Sequence, residues 1–152
     1  MRRRRAQAAG LAIAAGLACG LLGDGVSGSL TSDAPELGAW TFTADACESG
    51  QRRGFHGVSL YDDDLPEVAI DVVDDPLDGL ALAIDGVACD GRSTCTPVVL
   101  YARDCPDLDG YVYRDTTVST NDIWHVEGAV AVECPLPGGG RLRGDVRFDG
   151  CN

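Results

Sequence analysis

Along most of the chain after residue 40, apolar positions recur at every second residue. Val68, Ile70 and Val72 fall on one side of a strand, with Ala69, Asp71 and Val73 on the other. Leu80, Leu82 and Ile84 oppose Ala81, Ala83 and Asp85 in the same way. Leu142, Val146 and Phe148 alternate with Arg141, Arg143, Asp145, Arg147 and Asp149. Such alternation marks a strand with one buried and one wet face. The segment 123–134 places Trp124, Val126, Val130, Val132 and Cys134 on one parity, with Gly128 as a bulge or close-approach point. Shorter runs at 40–44, 55–61, 97–103 and 111–118 complete the set, and Gly- and Asp-rich turns at 74–79, 89–92, 106–110 and 135–140 separate them. No window shows a 3.6-residue period. The expected fold is all-β, an antiparallel sandwich or partly open barrel of about seven to nine short strands. A final turn centred near Gly138 sets Glu133 opposite Arg143 and Ala129 opposite Arg147. The first pair would be a cross-strand charge pair worth roughly 0.2–1 kcal/mol.

The opening residues follow another rule. Arg2, Arg3, Arg4 and Arg5 precede an Ala/Gly/Leu run over residues 6–22. Positive charge ahead of a short apolar stretch is the form of a secretory signal, expected here over residues 1–28. The run is diluted by Gly10, Gly16 and Gly20 and is shorter than the ~20 apolar residues of a membrane span. Residues 29–38 lack any hydrophobic period and are expected to be a flexible tether, with a single β domain over 39–152.

Export changes the meaning of charge and cysteine. The chain of 152 residues has no lysine, and losing the four leading arginines from its 12 bases leaves eight against 24 acids, a formal charge of −16. That balance opposes nucleic-acid binding, which needs a basic footprint. Of seven cysteines, Cys19 lies in the signal segment, leaving Cys47, Cys89, Cys95, Cys105, Cys134 and Cys151. In an oxidising compartment an even six suggests three disulfides. Cys89 and Cys95 are close enough to staple one turn. If the terminal strands are neighbours, Cys47 joins Cys151 and Cys105 is left for Cys134; other connectivities stay open. Zinc is disfavoured by the lack of a C-x-x-C and by having only His56 and His125.

Candidate chemistry is sparse. Asp74 and Asp78, with Asp107 and Asp109, sit in turns that echo fragments of a calcium loop, but Pro76 stands where a ligand is required. No serine lies in a nucleophile elbow. Tyr101, Tyr111, Tyr113, Trp40 and Trp124 could supply a sugar-stacking platform; Tyr111 and Tyr113 share a face, and the tryptophans are expected in the core. Arg143-Gly144-Asp145 lies inside a strand pattern, so its backbone is committed to a ladder rather than to a loop tip.

The segment Gly16-Leu17-Ala18-Cys19 resembles the end of a bacterial lipoprotein signal, in which the cysteine becomes lipidated, although Gly16 stands where leucine is usual. The resemblance implies cleavage before Cys19 and a lipid on it; an ordinary signal would instead be cut near Gly28 and Cys19 discarded. In layout the chain is similar to small cysteine-containing lipoproteins and secreted proteins of the bacterial envelope. The expectation is an exported protein, in the periplasm, on the outer membrane or outside the cell. It would act as a non-enzymatic binding or structural module, with a protein or glycan partner, no nucleic acid, and membrane contact only through Cys19. It needs no cofactor. A carbohydrate- or calcium-binding sandwich is the alternative, and a secreted hydrolase the remaining one.

Overall fold

The computed structural model describes residues 25–85, 97–136 and 138–152. These form a β-sandwich of two five-stranded antiparallel sheets. Strands follow the chain as β1 (Ser27–Ser32), β2 (Trp40–Thr43), β3 (Ala46–Ser49), β4 (Gly57–Tyr61), β5 (Ala69–Asp75), β6 (Gly79–Asp85), β7 (Val98–Tyr101), β8 (Leu108–Thr120), β9 (Ile123–Pro135) and β10 (Arg141–Cys151). The front sheet has the order β2-β1-β10-β9-β8, and the back sheet runs β3-β4-β5-β6-β7. The chain changes sheet twice, between β2 and β3 and between β7 and β8.

The alternating residues meet where the pattern requires. Ile70, Val72, Leu82 and Ile84 from the back sheet and Val126, Val130, Val132, Leu142, Val146 and Phe148 from the front are buried in one core. Phe42 and Phe148 are its largest fully buried side chains, while Trp40 and Trp124, expected there, are only half-buried. Trp40 keeps its indole near the surface because Nε1 donates to the Leu37 carbonyl (2.7 Å).

Residues 29–38 are not a tether. Strand β1 pairs with β10 on one side and β2 on the other, with Leu30 fully buried, so the domain includes residues the sequence assigned to signal and linker. Only Leu30 of Ser-Gly-Ser-Leu-Thr-Ser is apolar, so the strand shows no alternation and is held by its two neighbours. With β1 and β3 added, the described residues contain ten strands.

The β9–β10 hairpin has the expected register, Glu133 opposite Arg143 and Ala129 opposite Arg147. The ion pair differs: Arg141 Nη1 donates to Glu133 Oε1 (2.7 Å). Arg141 is the diagonal neighbour on the same face, within reach of a long side chain. Gly128 is a close-approach point: a Cβ there would lie 2.7 Å from the Phe148 ring and 2.2 Å from the Tyr111 carbonyl oxygen. Gly144 lies mid-strand in β10, between β1 and β9, so Arg143-Gly144-Asp145 is part of the ladder.

Two disulfides among the described residues fix the sandwich. Cys47–Cys151 joins β3 of the back sheet to the end of β10 in the front, and Cys105–Cys134 pins the β7–β8 crossover to β9. The expected Cys89–Cys95 pair, like Cys19, lies outside the described residues.

Candidate functional site

The outer face of the front sheet carries the most developed surface. Tyr111 on β8 stands opposite Ala129 on β9, which stands opposite Arg147 on β10. Adjacent strands lie ~4.8 Å apart, so Tyr111 and Arg147 flank a floor about 10 Å wide whose side chain is one methyl. The next row repeats the design with Asp109, Ala131 and Asp145. Tyr113 and Glu127 form the row on the other side. The result is an open groove of about 370 Å³ edged by Tyr111, Glu127, Arg147 and Asp149, with Gly128 and Ala129 in its floor. Tyr111 and Tyr113 are 59% and 53% exposed, far from the burial such rings normally reach. No ion pair among the described residues engages Glu127, Arg147 or Asp149. Beyond Arg147 the face turns to hydroxyls, with Ser27 beside Arg147, Ser29 beside Asp145 and Thr31 beside Arg143.

A local irregularity makes this face. At the β8–β9 turn, Thr120 pairs with Ile123 and Ser119 with Trp124; beyond it Asp115 pairs with His125. Thr116, Thr117 and Val118 are thus left out of the ladder. Continued without the bulge, the turn register would set Tyr111 opposite Val132, on the buried parity. The three extra residues reverse the parity of β8 and turn Tyr111 and Tyr113 outward. Asp115 holds the bulge: its Oδ1 accepts from Thr117 Oγ1 (2.6 Å) and Thr117 N (2.8 Å), and these donors keep its carboxyl below the ordinary aspartate range.

Other sequence candidates are placed apart. Tyr101 lies on the back sheet, with the Arg103 guanidinium 4.2 Å over its ring. Asp74 lies 3.3 Å from His56 Nδ1, Asp78 accepts from Arg103, and Asp109 Oδ1 accepts from Gly110 N (2.9 Å). Asp107 meets neither Asp74 nor Asp78, and no three His, Cys, Asp or Glu side chains among the described residues gather to hold a metal ion. Of the calcium candidates, Asp74 and Asp109 lie in strands β5 and β8, and Asp78 and Asp107 lie in turns. His125 Nε2 lies 3.2 Å from Thr120 Oγ1 and opposite Asp115, but on an exposed hairpin tip that does not line the groove. Acyl-transfer chemistry needs a water-excluding pocket and oxyanion donors around such a group.

On the back sheet, Arg53 from the 3-10 turn Gly50–Arg53 lies over the outer face. Its Nη1 donates to Asp71 Oδ1 (2.7 Å) and Ser59 Oγ (3.1 Å), and Ser59 Oγ donates to Asp71 Oδ1 (2.7 Å). Arg53 and Ser59 both converge on Asp71 Oδ1, so the network reads as a clamp that buries Ser59 and Asp71. Sequence reasoning found the shared face of Tyr111 and Tyr113 and the Ala129–Arg147 pair, but not Glu127 and Asp149 as their companions. Comparison of the chain with protein families, curated proteins and solved structures finds no match.

Proposed function

We propose that this chain is an exported, non-catalytic binding module of the bacterial envelope whose front-sheet groove takes a neutral glycan. The observation that carries the reading is the exposed pair Tyr111 and Tyr113 beside a methyl-floored groove with unpaired Glu127, Arg147 and Asp149 at its rim. A sugar ring offers a C–H face to an aromatic ring and hydroxyls at its edge. Carboxylates accept from those hydroxyls and a guanidinium donates to them. The flat, open shape suits an extended chain better than a small molecule, which is normally enclosed.

Export is supported by the two disulfides, which persist in oxidising compartments, and by the charged and apolar leader. The fold also bears on where the leader would be cut. Gly25 N donates to the Asp149 carbonyl (2.8 Å), and Ser27 and Gly28 pair with Arg147 and Val146. Cleavage near Gly28 would remove these pairings; cleavage before Cys19 would keep β1 whole and leave a few residues between a lipid and the first strand. Intact mass of protein from its native envelope tests this: a diacylglycerol adduct on Cys19 is expected, and an N-terminus at residue 28 or later would refute it.

Binding is tested on an array of neutral oligosaccharides with the oxidised protein. Tyr111→Ala is expected to weaken any hit roughly three- to tenfold, the loss of one aromatic contact. An array without hits, or a hit indifferent to Tyr111→Ala, would reject the groove as a glycan site.

A further inference from the structure

A second cleft lies at one end of the sandwich, away from the groove. It has a volume of about 360 Å³ and is lined by His56, Asp74, Pro76 and Arg114. Arg114 is the unexpected member. Opposite Val126, it has the inward parity of β8, so a guanidinium occupies a position where the pattern calls for an apolar side chain. Its Nε is cut off from solvent and has no hydrogen-bond partner, and no carboxylate among the described residues lies within ion-pair distance of it. A buried donor without an acceptor costs about 1–3 kcal/mol, more for a charged group. The position is therefore expensive for the fold alone.

The neighbouring groups complete the picture. His56 Nδ1 lies 3.3 Å from Asp74 Oδ2, which leaves Nε2 as the ring's other polar atom. Asp74 is thereby turned to the imidazole rather than to the guanidinium. Pro76 provides one wall and no donor. Three elements (the segment before β4, the end of β5 with its turn, and β8) bring one permanent cation, one imidazole and the Asp74 carboxylate beside that imidazole to a single opening. A planar guanidinium matches the paired oxygens of a carboxylate or phosphate.

We propose that this cleft binds an oxyanion, the carboxylate or phosphate group of a small ligand, with Arg114 as the principal donor and His56, in its imidazolium form, as the second. The acidic surface makes adventitious anion binding elsewhere on the chain weak, which isolates the site for measurement.

The test is a titration of the oxidised protein, followed by the Arg114 Nε–H and His56 ring resonances, with sodium phosphate and with sodium acetate, each against sodium chloride at matched ionic strength. Saturable shifts of both residues with phosphate or acetate, absent with chloride, are expected. Saturation by phosphate alone assigns the phosphate class, and by acetate alone the carboxylate class. Arg114→Gln should weaken binding at least tenfold, whereas Arg141→Gln, at an exposed arginine paired with Glu133 outside the cleft, should leave it unchanged. Should Arg114→Gln fail to fold, Arg114→Lys retains the charge without the planar fork and His56→Ala removes the second donor; each should weaken binding several-fold. Shifts equal to those in chloride, or binding untouched by whichever of these variants fold, would overturn the assignment.

Discussion

Single residues in this protein show how burial and local donors pull identical carboxyls apart. Burial raises the Asp71 carboxyl above the ordinary aspartate value, against the opposing pull of the Ser59 hydroxyl and the Arg53 charge. The Leu77 and Asp78 amides hold Asp75 below it, and the Thr117 hydroxyl and amide do the same for Asp115. The consequences for stability have opposite signs. Asp71 carries the extra proton in the folded state, so its contribution falls as pH rises from the unfolded value to the folded one. Asp75 and Asp115 contribute stability that is full above the unfolded value and lost as pH falls through their folded values. Carboxyl ¹³C titration should place the Asp71 midpoint above those of Asp75 and Asp115, and Asp71→Asn should remove the downward component of the stability–pH curve. A midpoint for Asp71 equal to or below theirs would mean that the Ser59 and Arg53 contacts outweigh burial. Gly128 gives the second residue-scale expectation. Gly128→Ala drives a methyl into the Phe148 ring and the Tyr111 carbonyl, and a loss of roughly 1–3 kcal/mol is expected for such overpacking, read by urea denaturation. A variant as stable as the parent would mean that the ring can move aside.

At the scale of elements, the strands that were legible are those with one wet and one buried face, β5, β6, β9 and β10. Their apolar residues outnumber any competing pattern. Strand β1 was not legible, because a strand with a single buried leucine carries almost no period; its identity comes from the partners β2 and β10. Strand β8 was legible in extent but not in orientation. The Asn121-Asp122 turn, with φ of 52° and 64°, gives a tight two-residue connection, and counting back from it assigns Tyr111 to the wrong face. The bulge at residues 116–118 corrects that, and nothing in the alternation of Thr116-Thr117-Val118 announces it. Arg114 was illegible for the same reason: its inward position follows from the parity that the bulge imposes. A clean consequence is available. Removing residues 116–118 joins Asp115 directly to Ser119 and leaves every pairing above and below intact, so Tyr111 should remain opposite Ala129. Removing Val118 alone shifts the remaining register and should expose the buried parity. Cross-strand nuclear Overhauser contacts between Tyr111 and Ala129 report both outcomes; their loss in the three-residue deletion would show that residues 116–118 are not a simple insertion in the ladder.

At the scale of the whole molecule, the two covalent links among the described residues do what a small two-layer core does less completely alone. The sheets contact each other through aliphatic side chains and the rings of Phe42 and Phe148, and the first strand, β1, pairs with the last, β10. Cys47–Cys151 ties the first strand of the back sheet to the last residues of the front, spanning 104 positions. Confining a loop of that length removes unfolded-chain entropy worth about 4.7 kcal/mol, and the 29-position span of Cys105–Cys134 removes about 3.6 kcal/mol. Net stabilities of domains are about 5–15 kcal/mol, so losing the longer link alone should remove a large share of the total. The paired substitution Cys47→Ser with Cys151→Ser is expected to lower unfolding free energy in urea by about 4–5 kcal/mol, and Cys105→Ser with Cys134→Ser by about 3–4 kcal/mol. The order matters as much as the size, because loop length alone ranks the longer link first. If the shorter link proves the costlier one to lose, then its work lies in the native state, holding the β7–β8 crossover against β9 and so fixing where β8 begins its run toward the groove.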